Sequence, residues 1–151
     1  MSTFDAKNLL EVAFTQSNDT KLIPTPEGEY MAVIEAIDIK SGVSQKNNEP
    51  WARLDCSVAI DSPEVESQIG RKPKIRAGVM LDILESGGLD LGKGKNVGLG
   101  RLREATGKNQ EGVPFRFQDL IGQIVKVKVS HRPDPKDPAV IYDEVKAFLK
   151  P

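Results

Sequence analysis

Apolar and polar residues alternate with a period of two along three stretches of the chain. Across residues 51–60, Ala52, Leu54, Cys56, Val58 and Ile60 oppose Trp51, Arg53, Asp55 and Ser57. Across 72–83, Pro73, Ile75, Ala77, Val79, Leu81 and Ile83 oppose a face that begins Lys72, Lys74, Arg76. Across 123–130, Val125, Val127 and Val129 oppose Lys126 and Lys128. Successive side chains of a strand point to opposite faces, so each stretch predicts a half-buried strand with one apolar face and one face bearing cations. Two further strands are predicted over 29–40 and 139–149. The first of these is mixed on both faces, with Val33 and Ile37 on one and Ile34 and Ala36 on the other, as a long bent strand shared by both halves of a barrel would be.

The connections complete the prediction. An acidic turn is expected over 62–70 and a glycine-rich linker over 87–100. A short helix follows over 99–106, with Leu99, Leu102 and Ala105 inward and Gly107 as its C′ residue. The three prolines of 132–138 stiffen a hairpin loop, because each fixes its own φ. Five strands with one short helix between the third and fourth is the element order of a Greek-key barrel of the OB type, a mainly β fold. Residues 28–151 form this barrel domain, and residues 1–27 form an N-terminal arm. Ala6, Leu9, Leu10 and Ala13 have helical spacing there, with Asp5 as N-cap of a helix over 3–14.

A chain of 151 residues is one domain, long enough to bury a core without disulfides or metal. The lone cysteine, Cys56, falls on an apolar face and is expected as a buried free thiol in a reducing compartment, not as a nucleophile. No apolar run approaches the roughly 20 residues of a membrane span, and the N-terminus lacks a signal pattern, so no membrane partner and a cytoplasmic location are expected. The net charge of −1 argues against a generic polyanion binder, but its distribution is uneven. Arg71, Lys72, Lys74 and Arg76 cluster without an acid among them, and the acids gather at 27–29, 61–66 and 82–90.

Candidate chemistry is sparse. From Gly87 to Lys93 the chain has the G-x-x-x-x-G-K spacing of a phosphate loop, yet Gly94 stands where Ser or Thr must hold the metal, and the repeated βαβ units are missing. A flexible linker into the helix is expected instead, the alternative being a secondary contact of Lys93 and Lys95 with nucleic-acid phosphate. His131 has no second histidine for a zinc site and is expected in a loop. Asp55, Asp82, Asp119 and Asp143 are expected to be solvated or to balance charge, not to converge on a metal. No catalytic residue, metal ligand or cofactor is predicted, and the chain is expected not to be an enzyme. Trp51, the only tryptophan, shares the parity of Arg53; it either caps the core at a strand end or offers a platform on which a base stacks.

The stretches GEYMAVI (28–34), GRLREATG (100–107) and DLIGQIVKVKV (119–129) resemble small bacteriophage proteins of the DUF669 family. The resemblance implies an OB-like fold, single-stranded DNA binding in phage replication and recombination, and a place in the host cytoplasm. Strand parity, not the resemblance, supplies the expected contacts: Lys72, Lys74 and Arg76, Lys126 and Lys128, Arg53, Trp51 for stacking, and Lys46 in the 41–50 loop. That loop and the 132–138 loop would flank the groove, and affinity would fall steeply with salt. RNA would be served by the same contacts. Many single-strand binders end in an acidic tail; this chain ends VKAFLKP, so recruitment of partners by such a tail is not expected. The rival expectation is a protein-interaction or virion assembly module on the same barrel, with an exposed apolar patch around Ala6, Leu9 and Leu10. A solvated cationic face is the plain alternative for the lysines, and a homodimer is left open by the arm and by any exposed strand edge.

Overall fold

Five strands, β1 (Gly28–Val43), β2 (Pro50–Ile60), β3 (Lys74–Leu81), β4 (Ile124–Pro133) and β5 (Ile141–Leu149), make up the body of the protein. Three helices, α1 (Ala6–Leu9), α2 (Pro63–Ile69) and α3 (Val97–Ala105), and a 3-10 turn at Phe117–Leu120 accompany them. The structure, a computed structural model, describes residues 5–151.

All strand pairs are antiparallel, in the order β3-β2-β1-β4-β5. The long first strand organises the sheet. Its start pairs with β4, from Gly28 opposite Val129 to Val33 opposite Ile124, and from Ala32 onward it pairs with β2, ending with Val43 opposite Pro50. A bulge between Ile34 and Ala36 leaves Glu35 as an extra residue. Parity inverts there: Ala32 and Ile34 are buried before it, and Ile37 packs on the core after it. The inversion explains why this stretch is mixed on both faces in the sequence.

The inward rows of β2, β3 and β4 are the predicted ones, and Leu99, Leu102 and Ala105 of α3 close over them. Leu54, Val58, Leu102 and Leu120 are fully buried. The terminal strands β3 and β5 come alongside each other, with α3 packed on both. No ladder joins them, so the sheet is not closed into a complete barrel.

Four expectations need correction. Strand β3 is shorter than the 72–83 stretch, because Pro73 cannot donate to the ladder and the chain turns away after Leu81. The acidic turn is helix α2: Ser62 caps it by accepting from the Val65 N–H, Pro63 opens it, Val65 and Ile69 are buried four apart, and Gly70 ends it at φ +75°. The arm helix covers only Ala6–Leu9, with Asp5 as its cap. Its side chains are exposed, and a helix this short without packing is marginal. Residues 3 and 4 of that expectation lie outside the described residues.

The glycine-rich segment is no flexible linker. Buried Asn96 holds it: its side chain accepts from the Asp82 N–H (2.8 Å) and donates to the carbonyls of Asp82 (2.9 Å) and Asp90 (2.8 Å). Its own N–H donates to the Asp82 carboxylate (2.7 Å). Asn96 has φ +52°, a conformation that Asn tolerates better than most residues. Among the described residues, no helix is long and apolar enough to cross a membrane.

Candidate nucleic-acid interface

Register across β1, β2 and β3 sets the outward rows of this half of the sheet. Lys40, Arg53 and Met80 share a row; Asp38, Asp55 and Gly78 share the next; then come Ala36, Ser57 and Arg76, and last Val33, Ala59 and Lys74. At the far end Trp51 stands opposite Gly42.

Trp51 belongs to this outer face and not to the core. Its indole lies against Gly42: a Cβ on that glycine would fall 3.0 Å from Cζ2 and 3.2 Å from both Cε2 and Nε1. The ring is thereby seated on the backbone of β1 and stays partly exposed. Arg53 stands beside it, its guanidinium carbon 5.8 Å from the ring centroid, within cation–π range. Arg53 is itself fixed. Its Nε donates to Asp55 Oδ1 (2.6 Å) and its Nη2 to Oδ2 (3.2 Å). A Cβ on Gly78 would come within 2.9 Å of Arg53 Cδ, so Gly78 leaves the slot that the side chain occupies. Asp55, only 5% exposed despite its outward parity, is covered by this arrangement.

Two of the other cations on this half of the sheet are paired, one within β1 and one across strands. Lys40 bridges Asp38 (3.0 Å), whose carboxyl is held below its usual range first by the hydrogen bond from Lys40 and then by that lysine's charge. Lys74 bridges Glu35, the bulge residue (3.1 Å). Among the described residues, Lys46, Lys72 and Arg76 have no carboxylate at salt-bridge distance. The face is therefore not of one sign, as the parity of single strands suggested: β1 and β2 supply Glu35, Asp38 and Asp55 to the cations. A small hollow of about 90 Å³ lies where Asp38, Lys40, Ser57 and Arg76 meet. With donors and acceptors side by side, it suits the edge of a base better than a bare phosphate.

Of the remaining expected residues, Lys46 and Lys72 lie at the two ends of this patch, and Lys126 and Lys128 lie off it. Lys126 and Lys128 face outward on β4, but opposite Met31 and Glu29 of β1 and Leu149 and Ala147 of β5. Three strand spacings, about 14 Å, separate β4 from β3 and its cations. Lys72 is exposed just before β3, and Lys46 is exposed in the turn between β1 and β2, where its N–H donates to the Ser44 hydroxyl (3.3 Å). The loop between β4 and β5 lies past the first residue of β1 and the turn carrying Lys46 past its last, so the two bracket that strand lengthwise. Parity could not have shown Gly42 and Gly78 as seats, nor Glu35 as the partner of Lys74, because each of these needs the cross-strand register.

His131 lies within β4, not in a loop. Its Nε2 donates to the Thr25 carbonyl (2.7 Å), and its N–H donates to Glu27 Oε2 (3.1 Å). The Thr25 N–H donates to Asp143 Oδ2 (2.7 Å), so the end of the arm is latched to β4 and β5. The four aspartates singled out in the sequence are each engaged locally: Asp55 with Arg53, Asp82 with Asn96, Asp119 with the Arg116 N–H, and Asp143 with Thr25. They do not converge. Cys56 is a free, fully buried thiol, pushed up to about 11 by burial, with the nearby charge of Asp55 adding to it.

No protein-family model matches this chain, and no curated protein does.

Proposed function

We propose that this chain is a sequence-tolerant single-stranded DNA-binding protein of the OB type, acting by binding and not by catalysis. The carrying observation is Trp51, seated on Gly42 and partly exposed beside an immobilised guanidinium on the outer face of β1, β2 and β3. A fixed aromatic platform on the β2–β3 side of a small barrel suits unstacked bases, since every base offers a π-face. The strand order, with α3 between β3 and β4 and the last strand beside the third, supports the OB assignment. The likeness to DUF669 phage proteins adds to the proposal a place in phage replication or recombination, in the host cytoplasm. Of the expected contacts on this half of the sheet, Lys46, Lys72 and Arg76 have no salt-bridge partner among the described residues and are available to phosphates, while Lys126 and Lys128 would serve only a strand that wraps beyond β1.

The test is fluorescence anisotropy of a labelled oligothymidine at two salt concentrations, with duplex DNA as control and an oligouridine to compare RNA. Binding of the single strand in preference to duplex is expected. Absence of binding at low salt overturns the proposal and favours the protein-interaction module. One observation speaks for that second role: Leu9 is 58% exposed, Leu10 89% and Phe14 69%, an apolar stretch of the arm left largely open to solvent.

A further inference from the structure

The seam between β3 and β5 leaves a second surface. There α3, the loop before it and the end of β5 enclose a cleft of about 800 Å³. Its lining is apolar at Leu99, Ala105, Phe148 and Leu149, with Leu91 and Val97 exposed at its rim. It also carries Lys95, Arg101, Arg103 and Lys150 against one acid, Glu104. Arg103 is engaged by the Phe115 ring (4.4 Å) and the Lys108 carbonyl (3.1 Å). Lys95, Arg101 and Lys150 are exposed and have no salt-bridge partner among the described residues.

The arm has the complementary character. Over residues 8–18 its only charge is Glu11, which sits among Leu9, Leu10, Val12 and Phe14, all exposed. An apolar segment with an acid in its middle matches an apolar cleft with a cationic rim. Exposed apolar surface of this extent marks an interaction site.

We propose that the arm of one copy docks in the seam cleft of a second copy. The placement of the two surfaces favours a second copy over the chain's own cleft. The arm leaves the body at Thr25, latched by His131 and Asp143, and residues 19–23 run beside Ile69, Gly70 and Arg71, at the start of β3. The cleft begins at Lys95 and Asn96, and Asn96 is bonded to Asp82 at the other end of β3. Eight residues of strand put about 26 Å between those ends. Donor and acceptor surfaces at opposite ends of one chain make head-to-tail contacts between identical copies. The association needs no nucleic acid and stands apart from the binding proposed for the Trp51 face.

Sedimentation velocity of the full chain without DNA tests it, across a wide concentration range. The wild type is expected to self-associate. Leu10→Asp with Phe14→Asp in the arm, and separately Arg101→Glu with Lys150→Glu at the cleft, are each expected to weaken association by about tenfold or more. All four positions are exposed, and circular dichroism confirms that each variant is folded. Mixing the two variants is decisive, because one keeps an intact cleft and the other an intact arm: a one-to-one heterodimer is expected. A monomeric wild type, a variant that associates like the wild type, or a mixture that stays monomeric overturns the proposal.

Discussion

Removing the indole of Trp51 separates its two candidate roles, because they predict opposite balances of stability and affinity. A core aromatic cut to Ala costs about 3–5 kcal/mol of stability. Trp51 lies outside the core cluster, resting on Gly42 at the far end of the β1–β2 ladder, so Trp51→Ala is expected to cost only about 1–2 kcal/mol. Affinity for oligothymidine should fall by about 1–3 kcal/mol for one lost stacking partner, roughly 5- to 150-fold in Kd. As the only tryptophan, it is also the reporter: the wild-type emission should be quenched as oligothymidine binds. Gly42→Val keeps the ring but denies its seat, since even a Cβ there falls 3.0–3.2 Å from three ring atoms. That variant should lose affinity with the indole still present. A loss of 3–5 kcal/mol in urea unfolding, together with an unchanged Kd and unquenched emission, would refute the platform and make Trp51 a packing residue.

Three further outcomes test the fold around the site. The Cys56 thiol stands at about 11 against an ordinary 9.0, so burial favours its neutral form, and the stability this contributes is complete below pH 9 and lost as pH rises towards 11. Urea midpoints should fall over that window by an amount on the order of 2–3 kcal/mol, a fall absent in Cys56→Ala, and the native thiol should resist a thiol reagent at pH 8. Asn96→Ala strands the Asp82 N–H and two carbonyls and should cost about 2–4 kcal/mol in chemical unfolding; a change under about 0.5 kcal/mol would show that Asn96 does not hold the loop. His131→Ala removes the donor to the Thr25 carbonyl. Amide exchange in residues 20–27 should quicken while the core of β2 and β4 stays protected, at a cost of about 1 kcal/mol.

Much of the fold could be read along single segments. Alternation in β2, β3 and β4 gave the right inward rows, because a strand with one buried face shows a period of two whatever its partners are. Gly107, at φ +72°, was legible as the end of α3 because a left-handed C′ position favours glycine. Helix α2 is legible too: Ser62, Pro63, the Val65–Ile69 spacing and Gly70 all mark it, and its acids, Glu64 and Glu66, which suggest the polarity of a turn, are the favoured charge of a first helical turn. The bulge at Glu35 could not be read, since an extra residue in a strand leaves only a muddled alternation. For the site, parity correctly put Trp51 and Arg53 on one outer face. It could not put the Asp38–Lys40 pair of β1 in front of Arg76 of β3, or Glu35 against Lys74, because those placements depend on the register between strands.

The balance of charge on this face changes how the protein should respond to salt. A face whose expected cations, Lys46, Arg53, Lys72, Lys74, Arg76, Lys126 and Lys128, all met phosphates would give log Kobs against log salt a slope of about −5, at about 0.7 per neutralised phosphate of a single strand. Arg53 is held by Asp55, and Lys126 and Lys128 lie off the patch. The cations without partners, Lys46, Lys72 and Arg76, supply a slope of only about −2. Lys40 and Lys74 can exchange their acids for phosphates at little cost, since exposed ion pairs are worth about 0–1 kcal/mol, and this takes the slope to about −3.5. The displaced Asp38 and Glu35 then face the phosphates and oppose the exchange, so the shallower value is favoured. A strand held this way is held chiefly by its bases, which fits a chain whose net charge is −1. Titrations at graded salt decide it: a slope near −5 would mean that the paired lysines and the β4 pair all reach phosphate, and that the strand follows a path around the sheet much longer than the Trp51 patch.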